Sequence, residues 1–467
     1  MAEREKPRTI GELRRSGYRV LSVREEMRKN LIEKLRRGER LFPGIIGYDD
    51  TVIPQVENAI LAAQDIIFLG ERGQAKSRLI RQLVTLLDEE VPVIAGCEIN
   101  DNPYKPICKA CRDKVARYGD AVEIAWLPRE RRYAEKLATP DISMADLIGE
   151  VDPIKVAEGR YLADELTIHF GLIPRVNRGI FCINELPDLP ERIQVGLFNL
   201  LEERDIQIRG YLIRLPLDVY VVASANPEDY TNRGRIITPL KDRYGAQIRT
   251  HYPRTPEDEV AIVEQERVRF PDMEERVHMP SFMREIVVEF TALARRSPEV
   301  NQRSGVSVRL TIANYETLMA AALRRAIRYH EAVAVPRVSD LPFLHASTLG
   351  KLELETVEEG REGRLIEDLL KKACLNVFNR AFTVREFDPL IQKFEEGLVV
   401  ETGTAIPSFV YVEKLRGVEG LEPALRKFQV GENEALFASV VEFVLEGLHL
   451  NRRLNRDKVE GRTRYKG

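Results

Sequence analysis

The stretch Ile66-Ile67-Phe68-Leu69-Gly70-Glu71-Arg72-Gly73-Gln74-Ala75-Lys76-Ser77 restricts the fold more than any other part of this chain. The four apolar residues Ile66 to Leu69 read as a buried strand, and Leu79-Ile80-Arg81-Gln82-Leu83-Val84 has the spacing of an amphipathic helix. Strand, glycine-punctuated turn and helix, in that order, suit a phosphate-binding loop. Backbone N–H groups converge on the anion, the helix start adds partial positive charge, and Lys76 adds a full one. Gly70, Glu71, Arg72, Gly73, Gln74 and Ala75 would line the loop, and Ser77 stands where a hydroxyl would ligand the magnesium of a nucleotide. The usual spacing has glycine directly before the lysine; Ala75 forfeits easy access to positive φ. An ordinary strand-to-helix connection has the same outline, so the rest of the chain must decide.

A second stretch supports the nucleotide reading. In Arg178-Gly179-Ile180-Phe181-Cys182-Ile183-Asn184-Glu185, four consecutive apolar residues end in Asn-Glu. That pattern reads as a central parallel strand with functional groups at its carboxyl edge, where nucleotides bind in open α/β sheets. Glu185 is suited to polarise a water for attack on a γ-phosphate. A carboxylate at 184 would hold the magnesium shell, whereas Asn184 offers an uncharged amide and predicts weaker metal affinity. Val219-Tyr220-Val221-Val222-Ala223 is the next buried strand, and it too runs into a polar residue, Asn226. Between them, Ile193 to Glu202 reads as a helix, and Asp205 to Leu215 as a hairpin turning at Gly210-Tyr211.

A chain of 467 residues should hold two to four domains. Charged residues at 31% and hydrophobic ones at 44% are an ordinary globular composition. No run approaches the ~18 apolar residues of a membrane span. The opening Met1-Ala2-Glu3-Arg4-Glu5-Lys6 is too charged for a secretory signal, so a cytoplasmic location is expected. Net charge is only −3, which gives no global field for nucleic acid. Residues 1–40 carry 13 Lys/Arg against 7 Asp/Glu, and residues 451–467 carry 7 against 2. Solvated termini and a docking arm are the two readings of such ends.

Five cysteines in so long a chain do not make a disulfide framework. Cys108 and Cys111 form a Cys-x-x-Cys pair, and Cys97 lies a short loop upstream. Three thiolates could close over zinc with Glu98, Asp101 or His169 as the fourth ligand, or remain reduced thiols. From Tyr118 to Arg175 the chain is polar with helical patches, which suggests inserted elements. After Arg254 the strand pattern stops. Helices are expected at Glu257–Arg269, Ser281–Arg296 and Val308–Tyr329, with Pro336 to Pro342 as a linker candidate. The expected organisation is a basic arm at 1–40, an α/β nucleotide-binding domain at 41–253 with insertions at about 97–175, a helical lid at 254–335, and a helical region at 336–467 without recognisable chemistry.

Taken together, these stretches resemble an AAA+ ATPase, most similar to the magnesium chelatase I-subunit group in the clade that also holds the MoxR proteins. The likeness covers roughly residues 40–330. Its carriers are Phe42-Pro43 to Gly47, the Gly-x-x-Gly-x-Ala-Lys-Ser loop, Phe170 to Gly179, Ser224-Ala225-Asn226-Pro227-Glu228, and Leu240-Lys241-Asp242-Arg243-Tyr244. The resemblance implies a P-loop NTPase sheet, with ATP and Mg2+ as cofactors. It makes Lys76 and Ser77 the Walker A pair, Asn184 and Glu185 the Walker B pair, and Asn226 sensor 1. Arg243 would be an arginine finger acting on a neighbouring subunit, Arg309 would be sensor 2, and Ile46 and Gly47 would lie against the nucleotide. It further implies a ring, typically a hexamer, serving a protein partner such as one with a von Willebrand A domain. Porphyrin metallation belongs to a separate large subunit in that pathway. The alternatives are a nucleotide-gated scaffold with little turnover, motivated by Asn184, and an MCM-like nucleic-acid motor using Arg209, Gly210 and Tyr211.

Overall fold

The computed structural model describes residues 6–152, 165–207, 214–226, 235–301, 304–355, 360–459 and 462–467. Two compact units divide the chain, one ending at His251 and the other beginning at Tyr252.

The first unit is built on five strands: β1 (Ile66–Leu69), β2 (Tyr133–Leu137), β3 (Gly179–Asn184), β4 (Val219–Ala225) and β5 (Ala246–Arg249). All pair in parallel, in the order β5-β1-β4-β3-β2. Side chains alternate between the sheet's two faces, and each face has its own core. On one face Ile66, Phe68, Ile180, Cys182, Tyr220 and Val222 pack with Met27, Val56 and Leu79 of the covering helices. On the other, Ile67, Phe181, Ile183, Val221 and Ala223 pack with Ile173, Ile193 and Leu200. Burial on both faces is why β1, β3 and β4 read as continuous apolar runs. The helix at Ile193 to Glu202 is two pieces, Glu191–Gly196 and Phe198–Glu202.

Residues 1–40 were expected as a separate arm. Instead, the helix Val23–Arg36 is part of this unit. Glu26 and Arg132, both buried, form a two-point ion pair at 2.7 and 2.6 Å. Arg24 reaches buried Asp65 at 2.6 Å, directly before β1. The excess of basic residues hid these pairings, because charge counts do not show which ions face inward. The insertion expected over about 97–175 is likewise interrupted, since β2 is an edge strand of the central sheet. Its sequence, Tyr-Ala-Glu-Lys-Leu, lacks the apolar run of an interior strand because an edge strand is only half covered. Around it lie two antiparallel pairs, Glu90–Ile94 with Ile124–Pro128 and Gly149–Val151 with Ile168–Phe170.

In the second unit, helices Ser281–Arg296 and Val308–Tyr329 have the expected bounds. One apolar core joins Phe282 and Phe290 to Phe378, Phe387 and Phe443, so it runs across the boundary expected at 335/336. Pro336 to Pro342 is not a linker: Arg337 and Asp340 are fully buried there. Arg337 donates to the Ile406 carbonyl at 2.8 Å, and Asp340 pairs with Arg325. Strands also return after residue 254. Val400–Thr402, Arg462–Lys466 and Asn455–Val459 form an antiparallel sheet in that order. Its period-two alternation was concealed by charge: Arg464 meets Glu401 at 2.8 Å, while Tyr465 is buried and donates to Glu446 at 2.6 Å. The basic C-terminal stretch is therefore folded structure. A cavity of about 670 Å³ in this unit, lined by Leu341, Ile366, Leu370, Glu442, Glu446 and Arg456, contains none of the candidate site residues.

Candidate nucleotide site

The carboxyl ends of β1, β4 and β3 are neighbours, with Leu69 opposite Ala225 and Ala223 opposite Ile183. The turn after β1 and the Asn184-Glu185 pair after β3 therefore flank the same strand, and Asn226 follows that strand directly. Three distant segments of sequence share one sheet edge.

The loop after β1 is held from several sides. Gly70 donates its N–H to the Ala225 carbonyl at 3.1 Å. A Cβ on Gly70 would sit 1.8 Å from Thr250 Oγ1, so only glycine fits. Thr250 Oγ1 donates to Gln74 Oε1 at 2.7 Å, and that oxygen also accepts the Glu71 N–H at 3.1 Å. The Tyr48 hydroxyl lies 2.9 Å from the Gln74 carbonyl and 2.7 Å from the His251 carbonyl. Burial pushes the Tyr48 phenol up to about 12, so it remains a hydrogen-bond donor at neutral pH. Gly73 has φ +75°, and Ala75 sits at φ +55°, ψ +14° in the left-handed region. Such a conformation costs an L-residue roughly 1–2 kcal/mol, and the surrounding contacts enforce it. Lys76 is buried and donates to the carbonyls of Gly70 and Glu71, the latter at 2.8 Å. Arg72 and Ser77 are exposed, while Ile46 and Gly47 are half-buried directly before Tyr48. Tyr48 and Thr250 escaped the sequence reading; nothing in their local pattern marks them, since only folding brings them to the loop.

At the end of β3, Glu185 adopts φ +53°, ψ +50°, a strained conformation for a non-glycine residue of the kind concentrated at functional sites. Its N–H donates to Ser224 Oγ at 3.3 Å. The Ser224 hydroxyl in turn donates to Asn184 Oδ1 at 3.1 Å. The other half of the Asn184 amide donates to Glu135 on β2. Glu135 also accepts from Tyr133 at 2.9 Å and from Arg81, on the helix after the loop, at 2.8 and 3.0 Å. Hydrogen bonding from Arg81 holds the Glu135 carboxyl below its ordinary range, so it is ionised at neutral pH. The Asn184 amide, expected beside a magnesium shell, is engaged on both sides, and the Glu135 carboxylate of the adjacent strand lies against it. A glutamate in a polar edge strand gave no sequence signal.

Asn226, at the same sheet edge, is buried. The remaining candidates lie elsewhere. Arg243 ends the helix Thr238–Arg243, donates to Glu202 at 2.8 Å and to the Pro239 carbonyl at 2.7 Å, and covers the Phe198 ring at 4.5 Å. Arg309 belongs to the second unit, exposed at the second position of the helix Val308–Tyr329, its N–H capped by Ser307 at 3.2 Å. Cys97, Cys108 and Cys111 do converge, with Asp101 and without Glu98 or His169, which are exposed. The hairpin stem is present as Asp205–Gln207 paired with Arg214–Pro216. Its tip, with Arg209, Gly210 and Tyr211, lies outside the described residues, as do Pro227 and Glu228.

Over 266 residues the chain is 28% identical to a magnesium-chelatase subunit ChlI of Nostoc, a match covering 56% of this chain and 66% of that protein. With the chloroplastic ChlI of Nicotiana tabacum it shares 29% identity over 248 residues, covering 52% and 54%. Over about half of its length the chain is therefore similar to ChlI subunits of magnesium chelatase. It spans only about half to two thirds of the length of these relatives. Among solved structures, a model of the BchI–BchD complex of magnesium chelatase aligns with 71% of this chain and 98% of that one, at 20% identity and a TM-score of 0.36. No family model matches the chain.

Proposed function

We propose that this ChlI-like chain binds ATP with Mg2+ at the β1–β4–β3 edge and hydrolyses it as the motor of a ring that acts on a partner protein. The observation that carries the reading is the shared sheet edge, which brings the Lys76 loop, Asn184-Glu185 and Asn226 into one place. The residues suit the group. Gly70 admits no side chain, the loop is pinned by Gln74, Thr250 and Tyr48, and Glu135 adds a carboxylate beside Asn184. Bound Mg2+ would neutralise charge on the phosphates. Lys76, which donates to the Gly70 and Glu71 carbonyls, would turn to phosphate oxygens, and the Ser77 hydroxyl with the Glu135–Asn184 pair would hold the metal. Glu185 orients the attacking water and takes its proton, and Asn226 helps to fix that water.

Arg243 is the candidate for completing a neighbour's site, which makes the ring, a hexamer in the implied family, part of the proposal. Turnover rather than a static scaffold is favoured by the charge Glu135 supplies. The matched relatives are named as subunits of magnesium chelatase. A metal-loading or remodelling role, including porphyrin metallation, is therefore proposed for the partner complex, and a partner with a von Willebrand A domain is one candidate. Among the described residues no helix is long and apolar enough to cross a membrane.

Steady-state phosphate release and nucleotide binding by Glu185→Gln test the reading. The variant should hold ATP while turnover falls by about 10²–10⁴-fold. Equal turnover in the two proteins would favour the scaffold, and a native chain that ignores millimolar ATP would remove the proposal altogether.

A further inference from the structure

The cysteine cluster is a feature that nucleotide chemistry does not use. Cys97, Asp101, Cys108 and Cys111 each offer one ligand atom, and these four atoms lie within 4.8 Å of one another. Zinc–sulfur bonds of about 2.3 Å at tetrahedral angles need sulfurs about 3.8 Å apart, so the cluster is already near the size of a closed site. None of the three thiols is in a disulfide.

The backbone prepares the sulfurs as acceptors. The Asp101 N–H donates to Cys97 Sγ at 3.3 Å, and the Cys111 N–H to Cys108 Sγ at 3.4 Å. Asp101 is the second, independent observation. It is fully buried, one carboxylate oxygen accepts the Cys108 N–H at 3.0 Å, and the other, Oδ1, is buried with no hydrogen-bond partner. A buried carboxylate oxygen without a donor is costly unless a cation completes it. Three thiolates with one carboxylate suit zinc better than magnesium or calcium, which prefer oxygen.

We propose that Cys97, Cys108, Cys111 and Asp101 bind one Zn2+ in a closed, structural site. With four protein ligands the metal has no open position, so its work is mechanical. It ties the turn after the strand Glu90–Ile94 to the start of the helix Lys109–Tyr118. That turn is fastened to the segment leading into β3: Asn100 Nδ2 donates to the Arg175 carbonyl at 2.7 Å, and Asn177 Nδ2 to the Ile99 carbonyl at 3.0 Å. The metal therefore braces the approach to Asn184-Glu185.

The test reads metal directly and needs no nucleotide, so its failure and that of the ATPase reading are distinguishable. The full chain, purified with a reductant from zinc-supplied cells, should contain about one zinc per chain by elemental analysis, and Co2+ exchanged into it should show thiolate-to-cobalt charge-transfer bands. Cys108→Ser should lose the zinc, whereas Cys374→Ser, buried in the other unit, should keep it. If Cys108→Ser does not fold, Asp101→Ala serves instead, with an altered cobalt spectrum as the expected result. Wild-type protein without zinc and without the cobalt–thiolate bands, or a cobalt spectrum unchanged in Asp101→Ala, would overturn the assignment.

Discussion

Replacing Glu135 by glutamine tests where the site's negative charge resides. The substitution keeps the shape of the side chain and an acceptor for Arg81 and Tyr133, and it removes one charge beside Asn184. Groups that orient or charge a metal's shell without ligating it directly are typically worth 10–100-fold in metal affinity, or about 1.4–2.7 kcal/mol. Arg81, left without its partner, adds little, because its side chain is 64% exposed and water screens it. The assay is the Mg2+ dependence of binding a fluorescent ATP analogue: the half-saturating Mg2+ concentration should rise by that factor while Mg2+-free nucleotide affinity barely changes. Asn184→Asp alone puts two carboxylates in contact and should also disturb the site. The double variant Glu135→Gln/Asn184→Asp exchanges the two roles and should recover most of the lost affinity. Because Arg81 holds the Glu135 carboxyl below its ordinary value of 4.5, the carboxylate's contribution is fully present above that value and is lost only as pH falls through the lowered one. Half-saturation should therefore stay flat through the neutral range on this account. An unchanged Mg2+ requirement in Glu135→Gln would refute the reasoning.

Arg243→Ala should leave nucleotide affinity intact and lower turnover by roughly 10³-fold or more. Mixing it with Glu185→Gln chains should restore part of the activity, since each supplies what the other lacks; unaltered turnover in Arg243→Ala alone would exclude the finger role. Glu26→Ala strands buried Arg132 and removes the acceptor of the Asp88 N–H, so urea unfolding of the first unit should show a loss of about 3–5 kcal/mol. Glu26→Leu with Arg132→Met should lose much less, and a cost below about 1 kcal/mol for the single change would mean that the N-terminal helix is a detachable arm after all.

What the sequence determined by itself was the local chemistry and the sheet's interior. Ile66–Leu69, Gly179–Asn184 and Val219–Ala225 are apolar runs because both faces of a parallel sheet are covered, and each leads into residues of the proposed site. Glycine, lysine and the polar strand ends are consequences of backbone geometry and charge at single positions, so they are readable there. What only the tertiary structure decided were partnerships between distant segments. Thr250 pins the loop from 176 positions beyond Gln74, and Tyr48 ties that loop to His251. Asp101, rather than Glu98 or His169, joins the three cysteines because the fold buries it beside them and leaves the other two exposed. Glu135 is one polar residue in an edge strand until strand order sets it beside Asn184, and Arg132 is one of many arginines until Glu26 faces it. A charged side chain's role depends on what neutralises it, and sequence order does not encode that neighbour.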